Sequence, residues 1–310
     1  MKNDIVVSVC MITYNHEQYI AEAIEGVLMQ KTNFQIELII GEDCSTDKTR
    51  EICIAYQQKY PEIIRLQLPE KNRGMHHNSI KVLQAVQGKH IALCEGDDFW
   101  TDPLKLQKQV DILEQDTDER LIGVVTNSAI CNQYGEIFKE NRNVVPNNKQ
   151  GAYTLHDFLK DAHLYPTLTL LWRNKNKEQV LKKMEKLKNP FLGDWTLEVI
   201  LLTMGNFYYL DEVTAVYRKN PTSITHTANA IKRWEADFVI RKMLIDMLDK
   251  QYHKYLTNNW HAYFQLAMAY RKKKDYYRFM LYMMRSFVSQ PYKFFKKITS
   301  KGLKRIRCFQ

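Results

Sequence analysis

The chain has 310 residues, 45% hydrophobic and 26% charged, with only 11 glycines and 8 prolines. That is enough apolar material for a real core, and it excludes a disordered or collagen-like chain. The formal net charge of +10 is unevenly placed: residues 271–310 hold 13 Lys and Arg against the single acid Asp275, so the remainder is slightly acidic.

The first segments alternate. Ile5–Ile12 (IVVSVCMI) is a β-branched apolar run short enough for a buried parallel strand. After His16, Ile20, Ala23, Ile24, Val27 and Leu28 recur at helical spacing. Ile36–Ile40 predicts a second strand, Asp47 to about Tyr60 a second helix, and Ile63–Leu68 a third strand. Ser79–Val86 predicts a helix and His90–Cys94 a strand. Pro103 then opens a helix striped by Leu104, Leu106, Val110 and Leu113. Residues 133–151 read as a polar excursion, followed by an apolar segment at Tyr165–Trp172, a helix at Asp194–Thr203 and a strand at Phe207–Tyr217. Everything after about Ala228 reads helical, with one helical hairpin around Tyr263–Pro291.

This order predicts an α/β domain over residues 1–227, its mostly parallel sheet flanked by helices, and a helical region over 228–310. The polar clusters Thr13-Tyr14-Asn15, Glu42-Asp43 and Glu95–Asp98 all follow strands. They therefore share the carboxyl edge, where open parallel sheets bind ligands. No run reaches the roughly 18 apolar residues of a membrane span. The N-terminus reads as a first core strand, not a signal peptide. Six cysteines lie scattered without CxxC spacing, which suits a reducing cytosol.

CEGDDFWTDP (Cys94–Pro103) sets three carboxylates within four residues. They are a solvated turn, a charge cluster at a helix start, or a divalent-cation site. Thr101 and Asp102 already supply capping chemistry beside Pro103. Carboxylates this close repel unless neutralised, and a hard dication that shares its coordination with a diphosphate does this well.

VSVCMITYN, GEDCSTD, KNRG, CEGDDFWTDP and GDW, in this order from Val7 to about Arg218, resemble the family 2 glycosyltransferases of the GT-A (Rossmann-like) fold. The resemblance implies inverting transfer of a sugar from a nucleoside diphosphate, most often a UDP-sugar, with Mg²⁺ or Mn²⁺, in bacterial cell-surface polysaccharide or lipopolysaccharide synthesis. It places the metal on Asp97 with Glu95 or Asp98. Tyr14 then stacks on the base or packs on the sheet. Asp43 accepts from the base or caps a helix. Arg73 pairs with the diphosphate or belongs to a simple turn. Arg218 borders the diphosphate. Asp194 is the general base or a helix N-cap, and Trp195 lines the acceptor side or belongs to the core.

Two other functions fit part of the pattern. A nucleotidyltransferase needs a glycine-rich loop after the first strand, and Thr13-Tyr14-Asn15-His16 has none. A catalytically silent nucleotide-sugar scaffold has no need of Asp97, Asp98 and Asp194 together. In the tail, Lys and Arg interleave with Phe294, Phe295, Ile298, Leu303 and Ile306. Such a segment either lies on the anionic inner face of the plasma membrane or packs on the body. No nucleic-acid recognition motif accompanies the charge. The expected partners are a nucleotide-sugar donor and a glycan acceptor, with a lipid carrier as one option.

Overall fold

The computed structural model describes residues 4–140, 150–161, 166–186, 194–220, 230–295 and 297–298. The chain divides into two compact units, residues 1–223 and 224–310.

The first unit begins with the expected alternation: β1 (Ile5–Thr13), α1 (Ile20–Leu28), β2 (Gln35–Glu42), α2 (Thr49–Lys59), β3 (Ile64–Gln67), α3 (Met75–Gln84) and β4 (His90–Leu93). β5 (Phe99–Trp100), α4 (Lys105–Gln115), β6 (Leu121–Cys131) and β7 (Ile137–Lys139) follow. β8 (Gly151–Tyr153), α5 (Leu155–Asp161), β9 (Leu171–Arg173), α6 (Lys177–Lys186), α7 (Asp194–Leu202) and β10 (Asn206–Arg218) complete the unit. α4 starts two residues after Pro103, because the Asp102 carboxylate first accepts from the Leu104 N–H at 2.9 Å.

The strands form one sheet in the order β3-β2-β1-β4-β9-β6-β10-β5, with β7 beside β6 and β8 beside β10. The long pairings are parallel: β1 with β2, β1 with β4, β2 with β3, and β6 with β10. The antiparallel pairings are two or three residues long and close the second half of the sheet. β2 and β4 flank β1 on opposite sides, so the chain reverses its winding there and opens a crevice at the strands' carboxyl ends. The core that supports this edge is built from fully buried Val7, Val9, Met11, Ile24, Leu38 and Val124, among others.

β6 is the strand that the hydrophobic pattern does not announce. Every residue in it is buried, including Thr126, Asn127 and Ser128 in the middle. Buried on both faces, it shows no period of two. Two of these polar side chains are bonded across the sheet: Thr126 Oγ1 meets Thr214 Oγ1 at 2.6 Å, and Asn127 Nδ2 donates to Asp211 Oδ1 at 3.2 Å.

The second unit holds α8 (Ala230–Met247), α9 (Lys250–Leu256), α10 (Trp260–Lys272) and α11 (Tyr276–Ser289). Leu266 and Tyr270 of α10 are buried, the Tyr270 ring stacks on Tyr282, and the Ser286 hydroxyl donates to the Trp260 carbonyl. These contacts make α10 and α11 a helical hairpin. Among the described residues, no helix is long and apolar enough to cross a membrane.

Lys105, on α4, is fully buried. Its Nζ donates to Gln109 Oε1 at 2.7 Å and lies 4.3 Å from the Trp100 ring. Gln109 in turn donates to the Val124 and Thr169 carbonyls. Burial lowers the amine from 10.5 to about 7, against the opposing pull of Cys94 and Asp102. Between those pH values the unfolded chain holds a proton that the folded chain has released, so this group makes stability rise with pH across that window. Lys105→Met should flatten the rise and add stability near neutral pH, read as urea midpoints of both proteins from pH 6 to 9. An equally steep rise in the variant would contradict the assignment.

Candidate active site

The first half of the crevice is laced together by side chains from two loops. β1 and β2 end in register at Thr13 and Glu42, and the Asp43 N–H donates to the Thr13 carbonyl at 3.0 Å. Asn15 follows with φ 55°, a left-handed turn that asparagine tolerates. Its N–H donates to Ser45 Oγ and its Oδ1 accepts from the Thr46 N–H, both at 2.9 Å. Tyr14, one residue before, is 42% exposed and stands at the mouth of the crevice.

Glu42 and Asp43 are both buried, and both organise loops. Glu42 accepts from the Ser45 N–H at 2.6 Å and pairs with Arg50. Asp43 receives the Arg73 and Gly74 N–H groups, one on each carboxylate oxygen at 2.8 Å, while Asn72 Nδ2 donates to its carbonyl. Asp43 is therefore no helix cap; the N–H of Thr49, the first residue of α2, donates instead to Asp47 Oδ1 at 2.9 Å. By clamping the loop, Asp43 fixes the root of exposed Arg73 on the same edge.

The acidic loop continues the pairing of β1 with β4 beyond the end of β4. The Cys94 N–H donates to the Cys10 carbonyl and the Gly96 N–H to the Ile12 carbonyl. Gly96 is required by close approach: a Cβ there would stand 2.6 Å from Thr13 Oγ1 and 2.7 Å from Thr13 Cβ.

The positive group among the acids comes from the far end of the unit. Arg218, the last residue of β10, is 3% exposed. Its main-chain N–H donates to Asp98 Oδ1 at 2.7 Å and its Nε to the Asp97 carbonyl at 2.9 Å. Its Nη2 pairs with Glu22, and the guanidinium lies 4.8 Å from the Tyr19 ring and 5.1 Å from the Phe99 ring. The side chain expected at the diphosphate thus lies among protein groups and holds the acidic loop. Burial raises the Tyr19 phenol above its ordinary value, with Arg218 opposing the rise, so the ring stays neutral.

Asp97 is the more accessible acid, its side chain 17% exposed against 4% for Asp98 as a whole. His16 Nε2 faces its Oδ2 at 3.9 Å, and the Thr13 hydroxyl meets His16 Nδ1 at 3.2 Å. The contributions of His16 and Glu22 escaped the sequence reading. The acids and bases they meet, Asp97 for His16 and Arg218 for Glu22, are remote in the chain.

Among the described residues, no three His, Cys, Asp or Glu side chains converge to hold an ion by themselves. Glu95, Asp97 and Asp98 are hard oxygen donors; Glu95 and Asp97 are half-buried, and Asp98 accepts from the Arg218 N–H. One or two carboxylates suit an ion such as Mg²⁺ that takes its remaining ligands from water and phosphate. The donor set fits that group.

Asp194 is the first residue of α7, and its side chain lies outside the described residues. Trp195 beside it is half-buried.

Comparison with known proteins bears on this arrangement. The model of "Glycosyl transferase family 2" matches residues 8–179. An uncharacterized protein of Mycobacterium tuberculosis is 34% identical over 236 residues, 74% of this chain and 63% of its own length. The minor teichoic acid biosynthesis protein GgaB of Bacillus subtilis is 28% identical over 80% of this chain and 27% of its own. The chain thus spans less than two thirds of the length of these curated relatives. Among solved structures, S. aureus TarS 1–349 in complex with UDP-GlcNAc superposes with a TM-score of 0.66 at 17% identity, over 94% of this chain and 83% of that one. The mannosyltransferase PcManGT of Pyrobaculum calidifontis, in complex with GDP-Man and Mn²⁺, gives 0.58 at 13% identity, over 98% and 81%. These likenesses establish the GT-A fold.

Two substitutions test the loop. Gly96→Ala should cost about 1 to 3 kcal/mol in urea unfolding, since Thr13 and its strand must move. Arg218→Met should cost a similar amount, since Glu22 loses its ion-pair partner and the Asp97 carbonyl its donor. Urea unfolding curves at pH 7 would show both; an Arg218→Met protein as stable as the unaltered one would refute its role in holding the loop.

Proposed function

The chain belongs to glycosyl transferase family 2, and from that premise we propose that it moves a sugar, with inversion, from a nucleoside diphosphate donor to an acceptor hydroxyl. The donor is a UDP-sugar, and the product belongs to a bacterial cell-surface polysaccharide or lipopolysaccharide. The reading is supported above all by one observation: an acidic loop with an accessible Asp97, held at the switch point of the sheet by Gly96 and Arg218. The cell-surface role draws on the teichoic acid relative, and the nucleotide donor on the complexes of the two structural neighbours.

In this proposal Tyr14 stacks on the base, an interaction worth about 1 to 3 kcal/mol. Asp43 accepts from the base with the lone pairs that its two loop hydrogen bonds leave over. Arg73 pairs with the diphosphate, and Arg218 supports the acidic loop from beneath. Asp97, with Glu95 or Asp98, holds Mg²⁺ or Mn²⁺. When bound, the ion neutralises charge developing on the leaving diphosphate.

Asp194 acts as the base. It takes the proton of the acceptor hydroxyl as that oxygen attacks the anomeric carbon from the face opposite the diphosphate. The sugar passes through an oxocarbenium-like state, and no covalent sugar–enzyme species is required. Trp195 borders the acceptor. The acceptor is a glycan on a lipid carrier, met at the cytoplasmic face of the plasma membrane, toward which the basic segment 271–310 draws the protein.

A panel of nucleotide sugars screened by thermal shift with and without Mn²⁺ should identify a donor that stabilises the protein only with the ion. With that donor saturating, Asp194→Asn should lose about 10²- to 10⁴-fold in turnover and keep the donor-induced shift. Near-normal turnover would remove Asp194 as base, and binding with neither transfer nor hydrolysis would favour the silent scaffold.

A further inference from the structure

The second unit leaves an apolar stripe uncovered. Tyr277, Met280, Met284 and Val288 of α11 are exposed by 56 to 80%, and Tyr292 and Phe295 beyond it by 77 and 56%. The α11 residues recur at intervals of three and four, which places them on one helix face. The other face is occupied: Ser286 is buried, and Phe279 and Tyr282 pack against Ile231, Leu266 and Tyr270. A continuous exposed apolar face of this kind marks an interaction surface.

Charge decides the occupant. Exposed Arg278, Arg285 and Lys293 border the stripe, and residues 271–310 hold 13 basic side chains against Asp275 alone. A second copy of the chain, docked about a two-fold axis, would set this patch against itself and bring the two basic segments together. An anionic bilayer meets both features, attracting each nearby basic residue by about 1 kcal/mol and accepting the apolar face at the headgroup boundary. At fourteen residues, α11 is about 21 Å long, short of the roughly 30 Å hydrocarbon layer, so it lies along the surface.

We propose that the α11 face is a docking surface for an anionic lipid bilayer, with Tyr277, Met280, Met284 and Val288 sunk to the headgroup boundary. This gives a defined surface to the membrane placement proposed above, and it rests on that placement, although not on the chemistry of sugar transfer.

The test is co-flotation of the full chain with vesicles of phosphatidylcholine alone or mixed with phosphatidylglycerol. The protein should float with the mixed vesicles and not with the neutral ones. The double variant Met280→Glu/Met284→Glu, which changes only exposed side chains, should bind about tenfold or more weakly, equivalent to about 1.4 kcal/mol. Its donor-induced thermal shift should match that of the unaltered protein. Failure to float with mixed vesicles, or flotation that survives the double substitution, overturns the proposal. So does vesicle-free self-association that the same variant abolishes, which would assign the face to a second copy. If no nucleotide sugar stabilises the protein and flotation persists, the transfer reading fails and this surface stands.

Discussion

The acidic loop is held from the end of β10, where the Arg218 main-chain N–H donates to the Asp98 carboxylate and its Nε to the Asp97 carbonyl. The reach of Arg218 is long. The side chain holds Asp97 by the backbone and Glu22 by its carboxylate, while its own N–H holds Asp98. For this to happen, β10 must end beside the acidic loop. That requires β10 to run parallel to β6 over most of its length and to take β5 on its other side. The second half of the sheet is arranged around delivering one arginine.

Local chemistry on the other side of the crevice follows the same logic. The two acids at the end of β2 are first spent on the protein: Glu42 on Ser45 and Arg50, Asp43 on the loop of Arg73 and Gly74. Buried carboxylates must be hydrogen-bonded, and backbone N–H groups of neighbouring loops are the nearest donors. The result is a rigid frame from which Tyr14, Arg73 and Asp97 remain accessible to a ligand. A frame of this kind orders the site before anything binds, which keeps the entropic cost of binding low.

The two units divide the physical tasks. The first carries the sheet, the acids and the crevice, and is slightly acidic; the second carries most of the excess basic charge and the exposed apolar face of α11.

The alternation of strands and helices, the carboxyl edge on which the polar clusters meet and the acidic loop were all legible in the residues. They follow from local periodicity and from side-chain chemistry that needs no partner to be recognised. Leu303 and Ile306 of the amphipathic tail lie outside the described residues. β6 was not legible, because a strand buried on both faces loses its alternation and its polar centre imitates a loop. Nor were the places of Arg218, Glu22 and His16, or which acid of the loop stays accessible. Those were decided by contacts between residues as much as 196 positions apart, and such contacts obey no period. Only the closed sheet, which brings the ends of β1, β4 and β10 together, selects which charges meet and which remain open to a ligand.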